Sequence, residues 1–239
     1  MGEVVVTAKK IKNRKQRVKR TKIVIFVVLI FLIFSFIILS IIYNGGKFTV
    51  TLDNNFALKS GIILYENEEF KNDKTRKLYA KNIDFLDNIS IDWIPKNIDE
   101  EGTGSHNGEN YIAYTFYLEN NGERTINYWY YILIDDVIKN VDEAVRFMLF
   151  LNGEKQVYAK INSATKMAEK DTIPFLENKE KEVIIEQRKD FKVGDKDKFT
   201  IVIWLEGDDP DCVDAIIGGE IKMHMEIREE HKEQEKECE

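Results

Sequence analysis

The chain has 239 residues, a net charge of −7 and two cysteines. Its first 22 residues carry +8 and the remainder therefore −15, a charge that excludes nucleic acid as a partner of the larger part because its phosphates would be repelled. Two cysteines exclude a disulfide-stapled scaffold, so the long stretch after the N-terminal region has to be held by a buried core.

Residues 1–22 are a basic arm in which nine Lys and Arg side chains between Lys9 and Lys22 face the single acid Glu3. Ile23 to Tyr43 (IVIFVVLIFLIFSFIILSIIY) is apolar except for Ser35 and Ser40. As a helix it would cover roughly 31 Å, against a hydrocarbon core of about 30 Å. Both serine hydroxyls can bond their own helix backbone, which makes the segment an anchor and gives it no polar path. A cleaved signal peptide has an apolar region of about 7–15 residues followed by a small-x-small site. This run is longer, and its exit, Ser40 to Gly46, lacks such a site. Basic residues are retained on the cytoplasmic side. The N-terminus is therefore expected in the cytoplasm and residues from about Asn44 outside the cell, in a single-pass cell-membrane protein.

After a Gly45-Gly46 hinge, Phe48 to Leu52 alternates apolar and polar as a half-buried strand does. Leu58 to Tyr65, Arg76 to Phe85 and Ile89 to Ile94 read as further short strands, the last stopped by Pro95. Asp99 to Asn110 reads as an exposed loop holding a solvated His106. Tyr111 to Leu118 and Thr125 to Ile134 carry the strongest strand signal and are expected to pair as a hairpin. Their aromatic side chains either fill a sandwich core or form a carbohydrate platform, and core is the more common use.

Val145 to Leu151 then meets Asn152-Gly153, a pair that suits a tight hairpin with Val157 to Ile161. Glu182 to Gln187 is a short strand, and Phe199 to Leu205 (FTIVIWL) is apolar on both faces and so central. Glu220 to Ile227 alternates strictly, with Ile221, Met223, Met225 and Ile227 inward and Glu220, Lys222, His224 and Glu226 outward. From Arg228 to Glu239 the chain reads as an acidic, unfolded tail. The expected organisation is a basic arm (1–22), a transmembrane helix (23–43), an extracellular β-sandwich (47–227) and the tail (228–239). Cys212 and Cys238 either pair through a docked tail or remain thiols.

The densest group of carboxylates is Glu206, Asp208, Asp209, Asp211 and Asp214, around Pro210. Carboxylates on one loop repel unless a hard cation bridges them, and calcium accepts six to eight oxygens without strict geometry. These five are the candidate metal ligands, with calcium as the cofactor, although Asp and Pro also populate ordinary turns. The scattered histidines offer no nucleophile–base pair, and neither HExxH, a phosphate-binding glycine loop nor CxxC occurs, so no catalytic residue is named.

The order YIAYTFYLEN, IDDVIKNVDEAVRFMLFLNGE, GDKDKFTIVIWLEGDDPDC and GGEIKMHM resembles uncharacterised membrane-anchored ectodomains of Gram-positive, clostridial-type bacteria. More distantly it resembles the TasA and camelysin group of surface and matrix proteins. The resemblance implies an all-β ectodomain, an antiparallel, jelly-roll-like β-sandwich at the cell surface behind one N-terminal transmembrane α-helix. It implies a non-enzymatic structural or interaction role in the envelope or biofilm matrix, with the chain itself or other envelope proteins as partners. Camelysin relatives are described as metalloproteases, but no zinc-ligand motif carries over onto this sequence. A surface metalloprotease or other hydrolase and a calcium-dependent binding module stand as the alternatives.

Overall fold

The computed structural model describes residues 8–43, 48–73, 75–83, 85–176 and 181–230. The Gly45-Gly46 hinge, Cys238 and the tail beyond residue 230 lie outside them. The chain divides into two units between Gly45 and Gly46.

The first unit is one helix, α1 (Ala8–Tyr43). It begins well before the apolar run, because Lys, Arg and Gln in the basic arm are good helix formers and carry the helix through Lys22 without a break. Thr21 returns its hydroxyl to the Arg17 carbonyl at 3.0 Å. Arg17–Leu39 is long and apolar enough to cross a membrane. Along it Val24, Phe31 and Phe36 are 59%, 71% and 73% exposed.

The second unit is built from two sheets. Sheet A has the order β10 (Glu182–Phe191), β6 (Ile126–Ile138), β12 (Glu220–Glu229), β1 (Thr49–Leu52), β3 (Lys77–Tyr79). Sheet B has the order β2 (Ile62–Tyr65), β5 (Tyr111–Asn120), β11 (Lys196–Leu205), β7 (Val145–Leu151), β8 (Glu154–Ala159), β9 (Ile173–Pro174), with β4 (Gly104–Ser105) also on β5. A short helix, α2 (Asn54–Ser60), joins β1 to β2, where Leu58 to Ser60 had read as strand. Arg76 to Phe85 supplies only β3, and residues 91–93 form a 3-10 turn in place of the expected strand.

Both sheets are mixed, which corrects the expected all-antiparallel arrangement. β1 runs parallel to β12, and β8 runs parallel to β9.

The two sheets share one core. Tyr128, Tyr130, Ile132, Met225 and Ile227 point into it from sheet A, and Phe116, Phe147, Leu149, Phe199 and Ile201 from sheet B. The Phe199 ring stacks on Phe116 at 5.1 Å and receives the edge of Tyr130 from the opposite sheet at 5.5 Å. The Tyr128 hydroxyl crosses the layer to donate to Asp197 at 2.6 Å, and burial together with that carboxylate holds the phenol well above its ordinary pKa.

A second cluster lies on the outer face of sheet B, where Ile89, Ile94 and Ile98 cover Met148, Phe150, Val202 and Trp204. The segment just before the predicted loop Asp99 to Asn110 is thus a lid over the sheet. His106 is half-buried, with ring nitrogens 3.0 Å from the Gly104 carbonyl and 3.2 Å from that of Ile98. It is held by the backbone and not simply solvated.

β5 and β6 do not form the expected hairpin: β5 pairs with β11, β2 and β4, and β6 with β10 and β12. Residues 121–125 are a corner between the sheets. Asn120 organises it, donating to the Arg124 and Phe191 carbonyls at 2.9 Å each and accepting from Gly122 N at 3.0 Å. A Cβ on Gly122 would meet the Ser60 carbonyl at 2.0 Å, so only glycine allows the corner to close on that backbone. Crossing between sheets lets the apolar faces of both strands enter one core. The β7–β8 hairpin forms as read, with Asn152 and Gly153 at φ 53° and 87°. β12 reaches Glu229, and Arg124 pairs with Glu229 at 2.6 Å, so the start of the expected tail belongs to the sheet.

Phe199→Ala should lower the unfolding free energy by about 3–5 kcal/mol, since it empties the contact between the sheets. Chemical denaturation of the purified chain followed by near-ultraviolet circular dichroism reads this directly, and a loss under about 1 kcal/mol would contradict the shared core.

Candidate functional site

The loop after β11 holds the five predicted carboxylates, and the fold gives them separate roles. Glu206 is buried and fully used: Trp204 Nε1 donates to it at 3.0 Å, Ile91 N at 3.2 Å and Asp208 N at 3.3 Å. It ties β11 to the lid segment. Asp208 is exposed, and Asp214 is exposed at the start of a 3-10 turn, Asp214–Ile216. Cys212 is half-buried, accepts from Asn88 Nδ2 at 3.4 Å and has no disulfide among the described residues.

Asp209 and Asp211 come together with a residue that the sequence did not single out, Glu169. Each of the three offers a carboxylate oxygen, and these oxygens lie within 4.8 Å of one another. The Asp209 side chain has no exposed surface; its Oδ1 accepts from Asp211 N at 2.8 Å and its Oδ2 lies against Arg146 Nη2. The same Nη2 is 3.8 Å from Glu169 Oε2. Arg146 stands on β7 opposite Trp204 and Ala159, on the outer side of sheet B, and its side chain is only 5% exposed. Arg146 Nη1 and Glu169 Oε1 are buried without a hydrogen bond.

Asp211 accepts from Ser163 Oγ at 2.5 Å and Ser163 N at 2.7 Å. These two bonds, helped by the charges of Lys166 and Arg146, hold its carboxyl below the ordinary carboxylate range. Asn162 braces the same turn by accepting from Ala164 N and Thr165 N. The cluster therefore staples residues 162–169 and 209–211 onto sheet B, and its three acids outnumber the one guanidinium. Neither Arg146 nor Glu169 had a local signal: one sits in an apolar strand and the other in a polar connection.

A second feature is a cleft of about 390 Å³ beside β6 and the start of β10. Ile134, Val137, Phe175 and Val183 form its apolar wall, with Lys160 and Lys181 at its polar side. Lys160 Nζ donates to Asp142 at 2.7 Å and to Glu143 at 2.8 Å. Burial works to lower its pKa, and the two carboxylates outweigh that and raise it. Lys181 donates to the Asp135 carbonyl at 2.8 Å. This size is within the range of small-molecule pockets, but the ammonium of Lys160 is already committed to its carboxylates.

Comparison with protein-family models finds none that matches, and comparison with curated proteins finds none either. Among solved structures, the chain is similar to β-glucosidase from Kluyveromyces marxianus in complex with glucose, at 12% identity and a TM-score of 0.30, over 77% of this chain and 18% of that one. The selenomethionine-labelled form of that enzyme gives 11% identity and a TM-score of 0.24, over 69% and 16%. The chain thus spans less than a fifth of those enzymes, and likenesses this weak carry no argument about its chemistry.

Arg146→Met should destabilise the protein by about 3–5 kcal/mol, because Asp209 is left as an unpaired buried charge. The double variant Arg146→Met, Asp209→Leu should recover most of that loss in urea denaturation, whereas equal losses in the two variants would show that the pair is not the seat of the effect.

Proposed function

We propose that this is a membrane-anchored surface protein with a non-enzymatic structural or interaction role in the envelope or matrix, its N-terminus cytoplasmic and its β unit outside the cell. The observation that carries the reading is the run of exposed apolar side chains from Ile23 to Leu39, within the span Arg17–Leu39 and directly after a cluster of Lys and Arg. Such a surface needs a lipid environment, and the basic flank sets the orientation. The resemblance to TasA-like matrix proteins supports the role.

A jelly-roll-like winding is part of this proposal. Its support is the order of the long strands, β1-β12-β6-β10 in one sheet and β5-β11-β7-β8 in the other, so that the chain crosses between sheets at nearly every connection. Two interlocked Greek keys have this character; the parallel β1–β12 pair departs from it. The edges β3 and β10 offer a route to assembly by strand addition.

For topology, intact cells expressing the full chain with a C-terminal epitope should lose that epitope on brief protease treatment while a cytoplasmic marker survives. An epitope protected until the cells are opened would reverse the orientation.

A second reading, a calcium-dependent binding module, is favoured by the approach of Glu169, Asp209 and Asp211. The ligand set differs from the five residues of one loop: Glu169 joins, Glu206 is taken up by Trp204 and Ile91, and Asp208 and Asp214 are exposed outside the group. Here millimolar calcium should raise the melting temperature of the wild-type chain and leave Glu169→Gln unmoved. A wild-type melting temperature that ignores both calcium and chelator would remove this reading.

A further inference from the structure

The two sheets differ in what lies on their outer faces. Sheet B is covered by the lid residues Ile89, Ile94 and Ile98. On sheet A, no second apolar cluster lies on the outer face among the described residues, and Gln187 and Asn127 there bond Glu230 at 2.6 Å each. An antiparallel sheet with one wet face alternates apolar inward and polar outward. β12 obeys this, turning His224, Glu226 and Arg228 outward, and β1 turns out Thr49 and Thr51.

β6 breaks the rule. Its inward residues Tyr128, Tyr130 and Ile132 are buried, while Trp129, Tyr131 and Leu133 take the other face and are half-buried. The alternation of one strand thus sends Tyr128, Tyr130 and Ile132 to the core and Trp129, Tyr131 and Leu133 to the other face. The register places Gln187 and Arg228 on either side of Trp129, and Ile185 and Glu226 on either side of Tyr131. Further across, Tyr79 pairs with Thr49 on the edge strand and is 55% exposed. Three strand spacings put it ~14 Å from β6, and same-face positions along β6 lie ~7 Å apart.

The polar groups among these rings are of both signs and both hydrogen-bonding senses. Arg228 sits 4.9 Å from the centre of the Tyr131 ring and pairs with Glu226; His224 lies 2.9 Å from Asp135 and 3.3 Å from Glu226; Lys77 sits 5.3 Å from the Tyr79 ring. A polyanion would meet Glu226 and Asp135, and a polycation would meet Arg228 and Lys77. An uncharged polyhydroxylated chain meets no like charge. Its hydroxyls both donate and accept, which matches Arg, Gln, Thr and Glu interspersed, and the C–H faces of its rings match flat aromatic side chains. Jelly-roll sheets are also a known scaffold of lectin domains.

We propose that the outer face of sheet A is a platform for an uncharged polysaccharide, with Trp129 as the stacking ring beside Tyr131, whose ring lies under the Arg228 guanidinium, and with the Gln187–Glu230 and Arg228–Glu226 pairs supplying the hydrogen-bonding capacity that their mutual bonds leave over. The proposal rests on the reading of the β unit as an outward-facing interaction module and names the chemistry of its partner.

The test uses the full chain in lipid nanodiscs with chitohexaose, laminarihexaose and dextran as probes. Trp93 is 72% exposed and Trp204 is buried, so in a Trp93→Phe background a change in exposed-tryptophan emission reports Trp129. At least one probe should bind saturably in calorimetry and shift that emission. Trp129→Ala should weaken it about tenfold, and Glu226→Gln, which leaves the core untouched, should weaken it with an unchanged melting temperature. Absence of saturable binding to all three probes, or equal binding by wild type and Trp129→Ala, overturns the proposal. So does a dimer in sedimentation that Trp129→Ala dissolves, since the face then belongs to a second copy. Failure here leaves the surface display tested by protease treatment intact, and failure of that display leaves a measured binding constant standing.

Discussion

Sheet B cannot be wet on either face at its centre. β7 and β11 alternate nothing: Phe147, Leu149, Phe199 and Ile201 on one side and Met148, Phe150, Val202 and Trp204 on the other are all apolar and buried. Two layers are therefore required, and the chain supplies one from sheet A and the other from the segment around Ile89 to Ile98. Among the described residues sheet A brings apolar residues to this core from one side, and its other side carries no second cluster. The two clusters that flank sheet B follow from the composition of two strands.

The buried ion cluster belongs to the outer face of sheet B. Arg146 stands in the same outward row of β7 as Met148 and Phe150, so its guanidinium leaves an apolar surface and needs counter-charges from above. Asp209 and Glu169 bring them on two connections that have few apolar residues of their own to bury. A charge inside sheet B thereby fixes the course of two polar loops that hydrophobic packing alone would leave loosely placed, which accords with the view that buried ion pairs specify geometry more than they stabilise.

Much of the architecture was legible where the physical signal is local. The apolar run, the turn at Asn152-Gly153, the strict alternation of Glu220 to Ile227 and the two-sided apolarity of Phe199 to Leu205 each depend on a handful of consecutive residues. What failed depends on distance. β5 and β6 are adjacent in sequence, and both read as strands, but nothing in Asn121 to Thr125 announces that the corner changes sheet; that is decided by the docking of Gly122 on Ser60 and by the Asn120 bonds to Phe191. The carboxylates of one loop were visible as a group, yet which of them share a site depends on Arg146 and Glu169, far away along the chain. Ile89 to Ile94 alternates as a strand does, yet residues 91–93 turn in a 3-10 helix that lays Ile89 and Ile94 on sheet B, and the carbonyls that hold His106 are set by that docking.

The position of β1 has a mechanical meaning. It is the first strand after the anchor, and it is not at an edge: β12 holds it on one side and β3 on the other. Tension applied to its start along the strand would load both ladders in shear, with several backbone bonds sharing the force, whereas a strand at a margin peels one bond at a time. Force entering at Thr49 is thus met through an interior stave, by the ladder of Thr49–Leu52 with His224–Ile227 on one side and with Lys77–Tyr79 on the other.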